Sequence, residues 1–144
     1  MKRFLQVTEK LSRLLALHRL YRLVHYKDTP EMRGRNLLRE WLTAEQRRQF
    51  DAFGYFDVIG CSSGKQYRIH FGISANVQEL GRDGRPKMGW CFVPTGDLVP
   101  ADVMLAQKIA LETSESAALA VAKRFPAAVP SGRGQLDRPF WGSV

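Results

Sequence analysis

Cysteine and long apolar runs are both scarce in this chain of 144 residues. Its two thiols, Cys61 and Cys91, are too few for a domain held together by disulfides, so we expect reduced, packed cysteines. The longest apolar run near the start, residues 14–17, is shorter than a signal-peptide core and far shorter than a membrane-spanning helix. The sequence therefore predicts a cytoplasmic protein.

Acidic residues are scarce in the first third of the chain. Residues 1–48 contain 12 Lys and Arg against 5 Asp and Glu, a net charge of +7, whereas residues 49–144 contain 10 against 9, a net charge of +1. A basic segment of this kind attracts polyanions, either nucleic acid or an anionic membrane surface. The asymmetry concerns partners rather than fold.

A phosphate-binding loop is missing, although residues 60–66, GCSSGKQ, invite the comparison. Gln66 stands where such a loop carries the hydroxyl that holds magnesium, and the first Gly is one residue too close. An alternating, strand-like pattern follows, so no helix N-terminus is available to cradle a phosphate. We predict a hairpin turn here.

Catalytic and metal-binding constellations are missing as well. Cys61, His70 and Cys91 lack the closely spaced ligand pairs of a structural zinc site. A triad of Cys61, His70 and Asp57 can be drawn, but no local spacing favours it. The sequence predicts no metal, no cofactor and no catalytic residue, and a small enzyme with an unrecognised site is the third choice.

The composition that is present is that of a globular protein, with 44% hydrophobic and 25% charged residues. Residues 2–26 are rich in Leu, Arg and Lys, contain Glu9 as their only acid and hold no Gly or Pro, which predicts a helix. Its apolar stripe drifts around the helix, so we expect a bend near residues 16–18 or a partner that wraps it. We call residues 1–30 the basic arm.

Residues 29–54 carry several helix signals. Thr29 is a predicted N-cap before Pro30, and Leu37, Leu38, Trp41 and Leu42 follow at helical spacing. We expect Trp41 to be in the core. Residues 43–46, TAEQ, predict a capping box for a further helix that Gly54 ends.

From Tyr55 the period of the apolar residues changes from about 3.6 to 2, which is typical of strands. Turn residues separate the runs, and Arg82–Arg85 is the clearest hairpin signal. The economical topology is an antiparallel meander. Its four predicted strands are Tyr55–Cys61, Lys65–Phe71, Asn76–Leu80 and Lys87–Val93.

The rest of the chain predicts helices and then an extended tail. Pro100 opens a helix, residues 113–115 can cap a second one that runs to about Arg124, and residues 125–144 are rich in Pro and Gly. We therefore predict an α+β fold in which a small antiparallel sheet of about four strands is flanked by N-terminal and C-terminal helices packed on one face. The predicted domains are the basic arm 1–30, an α+β domain 31–124 and a tail 125–144.

Residues 37–122, about three-fifths of the chain, carry a set of recognisable elements: LLREWLTAEQ (37–46), GYFDVIG (54–60), YRI (67–69), NV (76–77), WCFVP (90–94) and DVMLAQK (102–108). With these elements the chain resembles a family of small bacterial proteins of unassigned function. The resemblance implies a shared fold for this stretch and carries no activity, cofactor or site residue with it.

The function predicted from the charge pattern is a non-enzymatic binding or adaptor protein that contacts a polyanion, nucleic acid first, through its basic N-terminal helices. Because the arm has few Asn or Gln to contact base edges, we expect recognition of the phosphate backbone. The alternative is a protein partner or a homo-oligomer joined through residues 2–26, and peripheral membrane contact is a further rival. The candidate nucleic-acid-binding residues are Arg13, Arg19, Arg22, Lys27, Arg33, Arg35, Arg39, Lys65 and Arg68.

Overall fold

The computed structural model of the protein describes residues 13–22 and 29–127, and its contacts divide the chain into two units, Met1–Arg33 and Gly34–Val144. Lys27 and the predicted tail beyond residue 127 lie outside the described residues, as does the arm apart from residues 13–22, 29 and 30. In chain order the elements are α1 (13–22), α2 (Pro30–Trp41), α3 (Ala44–Phe53), β1 (Tyr55–Ile59), β2 (Gln66–His70), β3 (Val77–Leu80), β4 (Pro86–Cys91), α4 (Pro100–Val121) and β5 (Lys123–Pro126).

Both predicted capping signals are confirmed. The Thr29 hydroxyl accepts a hydrogen bond from the backbone N–H of Met32 at the start of α2. At α3 the Thr43 hydroxyl accepts from the N–H of Gln46, while the Gln46 side chain accepts from the N–H of Thr43, which completes the capping box. Gly54 ends α3 with a φ of 72°, a left-handed conformation that costs glycine least.

The strands form one antiparallel sheet in the order β1-β2-β3-β4-β5, so the predicted α+β fold is confirmed and the strand count is higher by one. The unpredicted strand, β5, includes residues that the sequence assigned to the end of a helix and to the tail. It forms because the chain leaves α4 at Ala122 in an extended conformation and pairs with β4. Phe125 lies opposite Gly89, and its ring occupies the space that a Cβ of Gly89 would fill.

The core lies on one face of the sheet, under α2, α3 and α4. Phe56 and Val58 of β1 and Tyr67 and Ile69 of β2 alternate with more polar residues and are buried. The core takes Leu38 of α2 and Leu42, the residue after its end, which lie four residues apart on one face. Trp41 points away from that face and is 57% exposed, so its predicted place in the core is wrong. Trp90 is partly buried against the core.

The outer edge of β1 is closed at its centre by side chains of α3. The N–H of Asp57 donates to Gln49 Oε1 at 2.9 Å, and the carbonyl oxygen of Asp57 accepts from Gln46 Nε2 at 2.8 Å. These are the two backbone groups that a further strand beside β1 would use. The two glutamines therefore anchor α3 and stop the sheet on this side.

A kink in α4 is the point at which the sequence predicted two helices. Ser114 has non-helical angles, φ −149° and ψ 44°, and the helix continues on both sides. Cys61 fills the break because its N–H donates to the carbonyl of Leu111 at 3.0 Å, while its Sγ accepts from the N–H of Glu115 at 3.5 Å. An inserted residue is an established cause of such kinks. Cys61 is a free but exposed thiol, so the expectation that both thiols are packed is wrong for it.

Across the part of the chain that the structure describes, none of the helices has the length and apolar character needed to cross a membrane.

We expect Thr43→Ala to lower the free energy of unfolding by about 1 kcal/mol, because the capping box of α3 loses its hydroxyl acceptor. Urea unfolding followed by circular dichroism measures this change. Thr95→Ala is the matched control, since Thr95 is exposed in the loop before α4. Equal unfolding midpoints for the two variants would show that the capping box does not stabilise α3.

Candidate anion-binding site

An open cavity of about 450 Å³ lies at the end of the sheet where β2 begins and β3 ends. Three cations, Lys65, Arg82 and Lys87, line it together with one carboxylate, Glu79, so the charges of its lining sum to +2. Its other lining residues are Ser63, Gly64, Gln66, Leu80 and Gly81. A concave surface with an excess of positive charge is suited to an anion.

One wall of the cavity is the turn between β1 and β2, which is held by a buried carboxylate from α4. Glu115 Oε2 accepts the backbone N–H groups of Ser62 and Ser63 at 2.7 and 2.8 Å. Its Oε1 accepts the hydroxyl of Tyr67 at 2.6 Å and that of Ser63. The turn in the P-loop-like sequence does bind an anion through successive amides, and that anion belongs to the protein itself.

The hydrogen bonds keep Glu115 ionised in a buried position. Burial raises the pKa of this carboxyl group, but the four hydrogen bonds from Ser62, Ser63 and Tyr67 outweigh burial and lower the pKa from 4.5 to about 2. For Tyr67, burial and the hydrogen bond to Glu115 raise the pKa above its ordinary value. The phenol therefore remains a donor and the carboxylate remains an acceptor at neutral pH.

The turn places Lys65 at the mouth of the cavity. The N–H of Lys65 donates to the Ser63 hydroxyl at 3.1 Å, and its carbonyl oxygen accepts from the N–H of Gly60 at 2.8 Å. Its ammonium group lies 3.0 Å from Glu79 Oε1, and Glu79 Oε2 also accepts from Trp90 Nε1 at 3.2 Å. Half of the Lys65 side chain remains exposed, so the ammonium can contact a second anion.

Arg82 and Lys87 come from the other wall, the hairpin between β3 and β4. Arg82 is exposed in the hairpin turn, which closes with a hydrogen bond from Gly81 N–H to the carbonyl oxygen of Arg85 at 2.8 Å. Lys87 is the extra residue of a β-bulge, because Glu79 pairs with Met88 while Leu80 pairs with Pro86. Neither cation has a carboxylate partner among the residues that the structure describes.

Of the predicted binding residues, Arg13, Arg19 and Arg22 lie on α1 and are exposed. They belong to the unit Met1–Arg33, as does Arg33, which is also exposed. Lys27 lies outside the described residues. Lys65 is the one predicted residue that lines the cavity.

The remaining three predicted residues are engaged elsewhere in the second unit. The Arg35 guanidinium lies 5.1 Å from the ring centroid of Phe71, and Arg39 forms an ion pair with Asp51. Arg68 donates to both carboxylate oxygens of Asp57, at 2.8 and 2.9 Å, and these bonds raise its pKa above the ordinary value. These three arginines therefore contribute nothing to the charge of the cavity lining.

The candidate catalytic and metal-binding sets are not assembled. Tyr55 pairs with His70 and Ile59 with Gln66, about 13 Å apart along the strands, and Cys61 lies beyond the second pair, so Cys61 and His70 stand at opposite ends of the β1–β2 hairpin. Asp57 is held by Arg68 rather than by His70, whose Nε2 meets Gln78 Oε1 at 2.8 Å. Within residues 13–22 and 29–127, no three His, Cys, Asp or Glu side chains are grouped to hold a metal ion.

Sequence reasoning missed Arg82, Lys87 and Glu115 as parts of a site. The hairpin signal at residues 82–85 placed Arg82 in a turn, but the bulge that presents Lys87 leaves no mark in the alternation of residue types. The partners of Glu115 lie about 50 residues earlier in the chain. Its one local signal was the interruption of the helical pattern at residues 113–115.

Comparison with protein-family models, with curated proteins and with solved structures gave no match for this chain. The α+β class is therefore established by the chain's own structure.

We expect Glu115→Gln to lower the free energy of unfolding at pH 7 by on the order of 3 kcal/mol, which corresponds to the depression of the Glu115 pKa. Because the folded-state pKa is lower than the unfolded value of 4.5, this stabilisation is present above about pH 4.5 and is lost as the pH falls towards 2. Urea unfolding between pH 7 and pH 2 measures both effects.

The matched control is Glu45→Gln, which removes an exposed carboxylate at the start of α3 that pairs with Arg48. We expect this change to cost less than about 1 kcal/mol. If Glu115→Gln and the unchanged protein lost stability in parallel between pH 5 and pH 2, the buried carboxylate would not carry the acid dependence.

Proposed function

We propose that the protein is a non-enzymatic binding or adaptor protein that binds a polyanion. Nucleic acid, bound through its phosphates, is the first candidate for this polyanion. The observation that carries the proposal is the cavity, which is lined by three cations, Lys65, Arg82 and Lys87, and by a single carboxylate, Glu79. Arg82 and Lys87 are exposed and make no ion pair with any described residue. A cation without an internal ion pair gains the most binding free energy from a phosphate, because no existing ion pair has to be broken.

The exposed arginines of α1 support the same function from the first unit. Arg19 and Arg22 lie three residues apart and share one side of this helix. The basic arm, residues 1–30, contains Gln6 as its one amide side chain, so it favours contacts to phosphates over contacts to base edges. Affinity that comes from phosphates depends steeply on salt.

We expect Arg82→Gln/Lys87→Gln to weaken nucleic-acid binding and to flatten its salt dependence. Each lost phosphate contact lowers the magnitude of the slope of log affinity against log salt by about 0.9 on a duplex and by about 0.7 on a single strand. Fluorescence anisotropy of a labelled oligonucleotide in a potassium chloride series measures the slope. Arg13→Gln/Arg19→Gln/Arg22→Gln measures the share of α1 in the same assay.

Arg47→Gln/Lys123→Gln is the matched control for the cavity variant, because it removes two exposed cations that do not line the cavity. If this control flattened the slope as much as the cavity variant, binding would reflect net charge rather than a site. No binding by the unchanged protein at low salt would exclude the proposed function.

A second candidate function, a protein partner or homo-oligomer joined through the arm, has its own support. Leu14, Leu17 and Tyr21 lie at i, i+3 and i+7 on α1, and each is more than half exposed. An apolar stripe on a helix is the usual contact surface of helical assemblies. Arg19 and Arg22 lie on another side of the helix, so both functions can use α1.

If this second function operates, sedimentation velocity shows an oligomer whose mass is insensitive to salt, because apolar burial rather than charge holds it together. Leu14→Gln/Leu17→Gln is then expected to give a monomer, whereas Arg19→Gln/Arg22→Gln keeps the oligomer. A monomer at all concentrations of the unchanged protein would exclude self-association.

A further inference from the structure

Two aromatic rings are stacked where α3 passes into β1. Phe53 is the last residue of α3 and Tyr55 the first of β1, and the turn at Gly54 brings their rings to 5.3 Å between centroids with 13° between planes. Phe53 is nevertheless 61% exposed. We call this pair the aromatic platform. The Phe53 ring is exposed to solvent but is already held by its stacking on Tyr55. Little side-chain conformational entropy is therefore lost when a ligand covers this ring.

A planar cation completes the platform. The guanidinium carbon of Arg68 lies 4.1 Å from the ring centroid of Tyr55, and the two hydrogen bonds to Asp57 fix its orientation. The His70 ring meets the Tyr55 ring edge-on, at 5.5 Å and 63°. Stacked aromatic rings beside an arginine are the surroundings in which proteins hold unpaired bases.

The face of the sheet opposite to the core runs from this platform to the end of the sheet at which the cavity opens. Gln66, Arg68 and His70 alternate along β2 with the buried Tyr67 and Ile69, so the three share that face. Gln66 also lines the cavity, and His70 pairs with Tyr55 of the platform. The distance from Gln66 to His70 along the strand is about 13 Å, a length that a few nucleotides span.

The same face supplies hydrogen-bonding groups that suit base edges. Gln78 lies beside Arg68 in the sheet, and the His70 Nε2 contacts its Oε1 at 2.8 Å. Amide and imidazole groups of this kind bind the exposed edges of unpaired bases, which in a duplex are occupied by the partner strand. The ring face of a base is also covered in a duplex, because each base stacks on its neighbours.

We propose that the aromatic platform binds an unpaired base of a single-stranded nucleic acid whose phosphates lie in the cavity. The proposal deepens the proposed function and rests on it, because it names the strand type that the cavity serves. Phe53 provides the stacking surface, and Arg68 acts through Tyr55 as a positioning residue. The exposed ring of Phe53 contributes to binding without contributing to the core.

The experiment compares two labelled strands of 12 units, one of deoxythymidine and one of the same length in which every sugar lacks its base. Both carry the same phosphates, so a difference in affinity reports contacts to bases. We expect the unchanged protein to bind the strand with bases at least about fivefold more tightly, the lower limit for stacking one base. Phe53→Leu should remove this preference and leave binding to the abasic strand unchanged, whereas Phe53→Trp should keep it.

Trp41→Leu is the matched control, because it removes another exposed aromatic ring, at the end of α2, that is not part of the platform. We expect it to retain the preference for bases, and matching thermal unfolding midpoints confirm that Phe53→Leu is folded. Equal binding of both strands by the unchanged protein would overturn the platform and leave the proposed function intact. A preference that survives in Phe53→Leu would also overturn the platform, as would binding to neither strand, and the proposed function would fall with it only if a duplex of the same length were not bound at low salt either.

Discussion

The structure depends on one buried carboxylate. Glu115 reaches from α4 into the turn between β1 and β2, where two backbone amides and two hydroxyl groups donate to its two oxygens. A buried charge without such partners would cost several kcal/mol, so α4 needs the donors of the turn. The turn likewise needs the carboxylate of α4 to accept its amide hydrogens. The kink at Ser114 belongs to the same arrangement, because Cys61 of the turn takes up the carbonyl of Leu111 that the kink frees. The wall of the cavity and the position of Lys65 follow from it.

Polar contacts at two distant points fix α4 against the sheet. Eight residues before Glu115 in α4, Gln107 and Asn76 exchange two amide hydrogen bonds of 2.9 Å, and Gln107 also donates to the carbonyl of Phe92. Apolar packing between these points tolerates small shifts, whereas paired amides and a caged carboxylate do not. The helix is thereby held in one position over the core. The opposite face of the sheet, with Arg68, His70 and Gln78, is not covered by this helix.

Local signals made most of the fold predictable. The capping box at Thr43, the left-handed Gly54 and the alternation in β1 to β4 act within a few residues, and all were visible in the sequence. Trp41 was misplaced because two apolar pairs at helical spacing compete for the core, Leu37 with Trp41 and Leu38 with Leu42. Only the packing of the helix against the sheet decides that Leu38 and Leu42 face the core. The strand β5 was missed because its pairing with β4 is non-local and its composition is that of a tail. Within the candidate site, Lys65 could be predicted from its charge beside a turn, but the roles of Lys87 and Glu115 depend on a bulge and on contacts across 50 residues.

The closed edge at β1 has a consequence for assembly. A five-stranded sheet has two edges, and the glutamine side chains of α3 already occupy the backbone groups of Asp57 at the centre of one. Within the described residues, β5 is the edge that remains for another strand. A fibre in which the sheets of successive copies join edge to edge needs two open sheet edges on every copy. With one open edge, two copies can pair, and their dimer has no open edge to which a third copy could add. Among the strands that the structure describes, pairing between copies through β5 would therefore end at a closed, two-fold dimer and would not propagate into a fibre.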